Sequence, residues 1–166
     1  MRPVSVVELA IGLAVGGSVL AVAVPAFFKN LSASKLSEPI NGLDTLVRHA
    51  VAYGNAPGRP DEFAFPPPAP LTPSVVPRGV RVLDPPEAWE HLTWRSLDFR
   101  IDQPHAFSFK FDSVYDPSTG VMRFAAIAHG DLDGDGVLST FEAQGERSPG
   151  HAARVLPGMY IDREVE

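Results

Sequence analysis

Polar and apolar residues along this chain follow three different rules. From Leu9 to Phe28 nothing is charged, and Ser18 is the only polar side chain. Such a run predicts a helix, and roughly 20 apolar residues are enough to cross the hydrocarbon of a bilayer. Next, Leu36, Ile40, Leu43, Val47 and Ala50 recur at steps of four and three, which is one face of an amphipathic helix from Leu36 to about Tyr53. Ser37 before Glu38 and Pro39 reads as a local re-capping, because proline is tolerated in a first turn. Gly54 and Pro57 end that helix. Pro25 lies inside the apolar run, yet Phe27 and Phe28 lead on into the amphipathic stretch. The expectation is one long helix, apolar in its first half and one-sided in its second.

The middle and the C-terminal half change register again. Between Ala56 and Pro86 no window has helical or strand periodicity, and Pro66, Pro67, Pro68, Pro70, Pro73 and Pro77 favour extended backbone without a sheet ladder. Phe63, Phe65, Leu71, Val75, Val76, Val80 and Val82 supply apolar anchors that a solvated linker would lack, so an ordered loop lying on the body is expected. Trp89, Leu92, Trp94, Leu97, Phe99 and Ile101 are spaced for partial burial, with the tryptophans as core or interface anchors. Phe107, Phe109 and Phe111 alternate with Ser108, Lys110 and Asp112, the period-two mark of a half-buried strand. Asp116 to Gly120 is a turn by composition, and Val121 to Ala128 returns as the partner strand. Residues 137–144 and Gly158 to Ile161 are weaker strand candidates.

Composition narrows the function. The 166 residues carry a net charge of −6, which argues against a nucleic-acid binder that neutralises phosphates. There is no cysteine, so disulfides, thiolate metal sites and cysteine nucleophiles are excluded. The 17 prolines are about twice ordinary usage. The five histidines are scattered, with no His-x-x-x-His pair, and no nucleophile constellation can be assembled. No enzyme is expected. Ala21 and Ala23 before Pro25 imitate a signal-peptide cleavage site, so export of a trimmed chain is an alternative. Glu8, at the mouth of the apolar run, argues the other way, since a carboxylate there is costly and tends to be functional.

Val7-Glu8-Leu9, the apolar run, and Val24-Pro25-Ala26-Phe27 resemble the N-terminus of type IV pilins and pseudopilins. Glu8 and Pro25 stand at that family's spacing, and residues 34–53 are similar to its helix continuation. The resemblance covers residues 4–55. It implies that Val4 follows the processing site, although Pro3 stands where the family has glycine. It further implies that Glu8 pairs with the N-terminal amine of a neighbouring subunit. Trp94-x-x-Leu97-x-Phe99, Pro104-x-x-Phe107 and Pro157-Gly158-Met159-Tyr160 are also similar to certain pilin-like proteins.

One segment carries site chemistry. Asp131-Leu132-Asp133-Gly134-Asp135-Gly136-Val137-Leu138-Ser139-Thr140-Phe141-Glu142 matches the twelve-position calcium loop. Asp131, Asp133 and Asp135 take positions one, three and five, and Gly136 permits the sharp turn. Val137 offers its carbonyl, Ser139 acts directly or through water, and Glu142 closes the site with both oxygens. No helix is evident before Asp131, which suits a structural ion better than a sensor. The competing reading is an acidic turn between strands.

The expected architecture is therefore α+β: a long N-terminal helix packed on a C-terminal antiparallel sheet head. Its parts are 1–29 as leader remnant and apolar helix, 30–55 as the amphipathic half, 56–86 as the proline-rich loop, and 87–166 as the head with the loop 131–142. The resemblance implies a pilus or pseudopilus subunit that partners with copies of itself or other pilin-like chains. It also implies a prepilin peptidase as processing partner, and residence as a single-pass protein in a bacterial inner membrane before assembly into an extracellular filament. The alternatives are an anchored, non-polymerising calcium-stabilised module and a secreted calcium-dependent adhesion module.

Overall fold

The computed structural model describes Ser18, Ala21 and residues 36–164. The chain divides into two compact units, Met1–Leu36 and Ser37–Glu166. In the first, Ser18 and Ala21 are helical and exposed. Val4, Glu8 and Pro25 lie outside the described residues.

Helix α1 covers residues 36–54, all but the first of which lie in the second unit. After the proline-rich segment come strand β1 (Ala69–Thr72), helix α2 (Leu92–Ser96), and strands β2 (Phe107–Asp116), β3 (Val121–Gly130), β4 (Ser139–Arg147), β5 (Arg154–Val155) and β6 (Tyr160–Asp162). The strands form one antiparallel sheet in the order β1-β2-β3-β4-β5, with β6 also paired to β4. The β2–β3 hairpin pairs Phe107 with Gly130 through to Asp116 with Val121, without a bulge. Its turn holds because Gly120 adopts φ 70°, and because Ser118 and Thr119 hydrogen-bond to the Asp116 carboxylate.

Alternation sets the faces. Phe107, Phe109 and Phe111 from β2, Phe124, Ala126 and Ala128 from β3, and Phe141 and Ala143 from β4 are all buried. Against them lie Leu43, Leu46, Val47 and Ala50 of α1, together with Trp89, Trp94, Leu97 and Phe99. Each of the larger apolar side chains among these contributes about 1.5–3 kcal/mol by leaving water, and each alanine less. The helix approaches the sheet closely where it has no side chain: a Cβ on Gly42 would stand 2.5 Å from the Phe109 ring.

Several expectations need correction. Among the described residues there is no long N-terminal helix with an apolar half; one helix over 36–54 accompanies a six-stranded sheet. The boundary between units falls beside the Ser37-Glu38-Pro39 step, where Pro39 has no N–H to donate to a helical ladder. Among the described residues no helix is long and apolar enough to cross a membrane, so the single-pass inner-membrane placement is not supported. The buried face of α1 is also rotated from the expected one. Pro39, Gly42 and Leu46 are buried, whereas Ile40 is 42% exposed.

The proline-rich segment contains structure that its composition concealed. It includes a single 3-10 turn at Asp61–Phe63 and the edge strand β1. Its backbone oxygens are satisfied from elsewhere: Ser113 Oγ donates to the Pro66 carbonyl (2.7 Å) and Thr93 Oγ1 to that of Pro67 (2.6 Å). Phe65 is buried, but Phe63, Val75 and Val80 are exposed and do not anchor it. The Trp89–Trp94 region is helical, a 3-10 turn and then α2, and both rings are buried. Trp94 Nε1 donates to Thr72 Oγ1 (2.9 Å), tying α2 to β1.

Candidate metal centre

The acidic loop is the connection between β3 and β4. Each end is held by backbone chemistry before any ion is considered. At the base, Gly130 pairs with Ser139, and the buried Ser139 hydroxyl donates to the Gly130 carbonyl at 3.1 Å. Inside the loop, Gly134 and Gly136 take φ of 84° and 94°, a conformation that favours glycine. Asp133 Oδ1 accepts from the Asp135 amide (3.1 Å), and Asp135 Oδ1 from the Val137 amide (2.7 Å). These short side-chain-to-backbone bonds are why the Asp-x-Asp-x-Asp sequence folds tightly on itself.

Asp131 is the buried member, at 1% exposure. Its two carboxylate oxygens accept from the amides of Gly134 (2.8 Å) and Gly136 (3.1 Å). Its carbonyl accepts from the Gly79 amide at 2.8 Å, and the Arg78 guanidinium lies 3.9 Å from Oδ2. The loop thus rests on residues 78 and 79, which arrive from the proline-rich segment.

One oxygen from each of Asp131, Asp133 and Asp135 lies within 4.8 Å of the others, with Asp133 and Asp135 exposed. This cluster could hold a metal ion. With carboxylates and no nitrogen or sulfur donor, the set suits a hard cation, whose remaining positions would go to carbonyls and water.

The other residues expected at the site lie as follows. Val137 borders the cluster and its amide is committed to Asp135. Ser139 spends its proton on the hairpin base. Glu142 is the fourth residue of β4, opposite Ile127 and Tyr160, and does not belong to the converging trio. An extended strand rises about 3.3 Å per residue, so it carries position twelve away from the loop, where a helix would turn it back.

His129 stands two residues before the cluster, half-buried, with Nδ1 2.9 Å from Thr140 Oγ1. Burial lowers its pKa from the usual histidine value, and the nearby Lys110 charge adds to this; a hydrogen bond to the backbone carbonyl of Ser139 and the Glu142 charge oppose the shift. The contribution of Arg78 and Gly79 was not visible in the sequence, because residues so distant along the chain share no local pattern with the loop.

No family model matches the chain, and neither the curated proteins nor the solved structures contain a match. The described fold defines an α+β domain, a helix against an antiparallel sheet, with an acidic loop on one hairpin.

Proposed function

We propose that the chain is a subunit of a pilin-like filament whose sheet head carries a calcium ion at Asp131, Asp133 and Asp135. The observation that favours this reading is the course of residues 36–54. They are the stretch that follows the Glu8…Pro25 pattern, and they form a helix whose buried face lies against the antiparallel sheet. Glu38 strengthens the attachment: its Oε1 accepts from the amides of Ala106 (2.7 Å) and Phe107 (3.0 Å), and Arg81 pairs with its other oxygen. The start of the helix is thereby fixed to the start of β2 within the head.

In such a filament the N-terminal segments of successive copies bundle and the heads face outward. Glu8 pairs with the terminal amine of a neighbour, while calcium keeps the exposed β3–β4 hairpin closed. The partners are further copies or other pilin-like chains. No catalytic role is assigned.

The test is assembly of the full chain with and without Glu8→Ala, read by electron microscopy and sedimentation. Filaments from the parent chain that are lost or strongly slowed in the variant support the reading. A parent chain that stays unassembled, or a variant that polymerises normally, refutes it; the former outcome points to a non-polymerising calcium-stabilised module.

A further inference from the structure

Residues 78–84 form a strap that touches three separate parts of the domain. Gly79 bonds to Asp131, Arg81 pairs with Glu38 of α1 and donates to the Pro104 carbonyl (3.0 Å), and Val82 exchanges two backbone hydrogen bonds with His105, both 2.9 Å. The strap ends at Asp84, whose carboxylate Oδ2 lies 3.1 Å from Nε2 of His105. His105 is itself 1% exposed, and its other ring nitrogen, Nδ1, lies 2.8 Å from the Phe107 carbonyl oxygen.

Both ring nitrogens of a buried imidazole therefore face oxygen acceptors. A carbonyl has no proton to give, so Nδ1 must donate to Phe107. The contact between Nε2 and Asp84 then needs a second proton, on either atom, taken from solution. Without it, a nitrogen lone pair faces a carboxylate at a place where the Asp84 side chain is 8% exposed and water cannot easily intervene. We propose that His105 and Asp84 form a proton-dependent latch that tightens the end of the strap, residues 82–84, on the domain at low pH and loosens it as the proton is lost.

The surroundings are consistent with a local device. The Trp89 ring, with its centroid 6.3 Å from that of His105, is uncharged. From α1, Glu38 accepts from the amides of Ala106 and Phe107 beside His105, and its charge is paired with Arg81. From β2 only the Phe107 carbonyl meets the ring nitrogens. The contacts of Gly79 with Asp131 and of Arg81 with Glu38 do not involve this proton, so the change is confined to the end of the strap.

The experiment is hydrogen exchange of the full chain at about pH 5 and about pH 8, with each amide compared to its unfolded rate at the same pH. Protection of the Val82 and His105 amides should fall about tenfold or more at the higher pH, the worth of one charge-assisted hydrogen bond. The amides of the β2–β3 ladder should not change. In Asp84→Asn, the amide can donate to Nε2 of a neutral ring, so no extra proton is required and protection should be the same at both pH values. His105→Gln should lose the dependence too, but it alters the core and serves as the secondary variant. Equal protection of Val82 and His105 at both pH values in the parent chain would overturn the latch. So would an unchanged pH dependence in Asp84→Asn.

Discussion

Replacing Asp133 and Asp135 together by asparagine separates the loop's fold from its charge. Each aspartate uses Oδ1 to accept one backbone amide, and an asparagine Oδ1 can do the same, so the turn survives. What disappears is the repulsion among three carboxylates whose oxygens lie within 4.8 Å. At that distance two unit charges cost about 0.9 kcal/mol in water-like surroundings, before salt reduces it. Asparagine at both sites removes all three pairwise repulsions, so in chelator the variant should be more stable than the parent, by about 1 kcal/mol after screening. With calcium that gap should close. Loops of this type bind extracellular calcium at roughly 10⁻⁴–10⁻³ M, and millimolar ion then adds about 1 kcal/mol to the parent by mass action. The variant, lacking two of the three charges, should gain little. From chelator to calcium the melting temperature of the parent should therefore rise by about 3 °C while that of the variant hardly moves. A parent chain with the same melting temperature in both conditions, or a variant with the parent's full calcium response, would show that the loop is only an acidic turn.

Two further outcomes follow from the geometry. Glu38→Ala leaves the amides of Ala106 and Phe107 without an acceptor and Arg81 without its partner, so chemical denaturation should report a loss of about 2–3 kcal/mol; a loss near zero would mean that water replaces the carboxylate at no cost. The hydroxyls of Ser118 and Thr119 and the Ser118 amide hold the Asp116 carboxyl down at about 2, against 3.8 ordinarily. Its contribution to the hairpin is thus complete above about pH 4 and is lost as pH falls through about 2. An NMR titration of the Asp116 carboxyl should show that low midpoint, and a midpoint at the ordinary aspartate value would mean the turn contacts are not formed in solution.

Local patterns determined what depends on neighbours in sequence. Alternation of Phe107, Phe109 and Phe111 with polar residues, followed by Asp116 to Gly120 and a second alternating run, specified the β2–β3 hairpin, because a period of two puts every apolar side chain on one face. The spacing of Leu43, Val47 and Ala50 specified a helix, and Asp131 to Gly136 specified a tight acidic loop. Tertiary structure decided the rest. It rotated the buried stripe of α1 to take in Leu46 and leave Ile40 exposed, since the sheet and not the helix chooses which side is covered. It made β1 from a proline-rich stretch, because the partner strand β2 and hydroxyls from Thr93 and Ser113 supplied what the prolines lacked. It drew Glu142 away from Asp131, because pairing with β3 and β6 extended the chain where a calcium loop would have curled. It also brought residues 78–84 across the domain to Asp131, Glu38 and His105. Such contacts join positions tens of residues apart, so no window of the sequence contains both partners, and only the folded chain shows that a single strap serves all three.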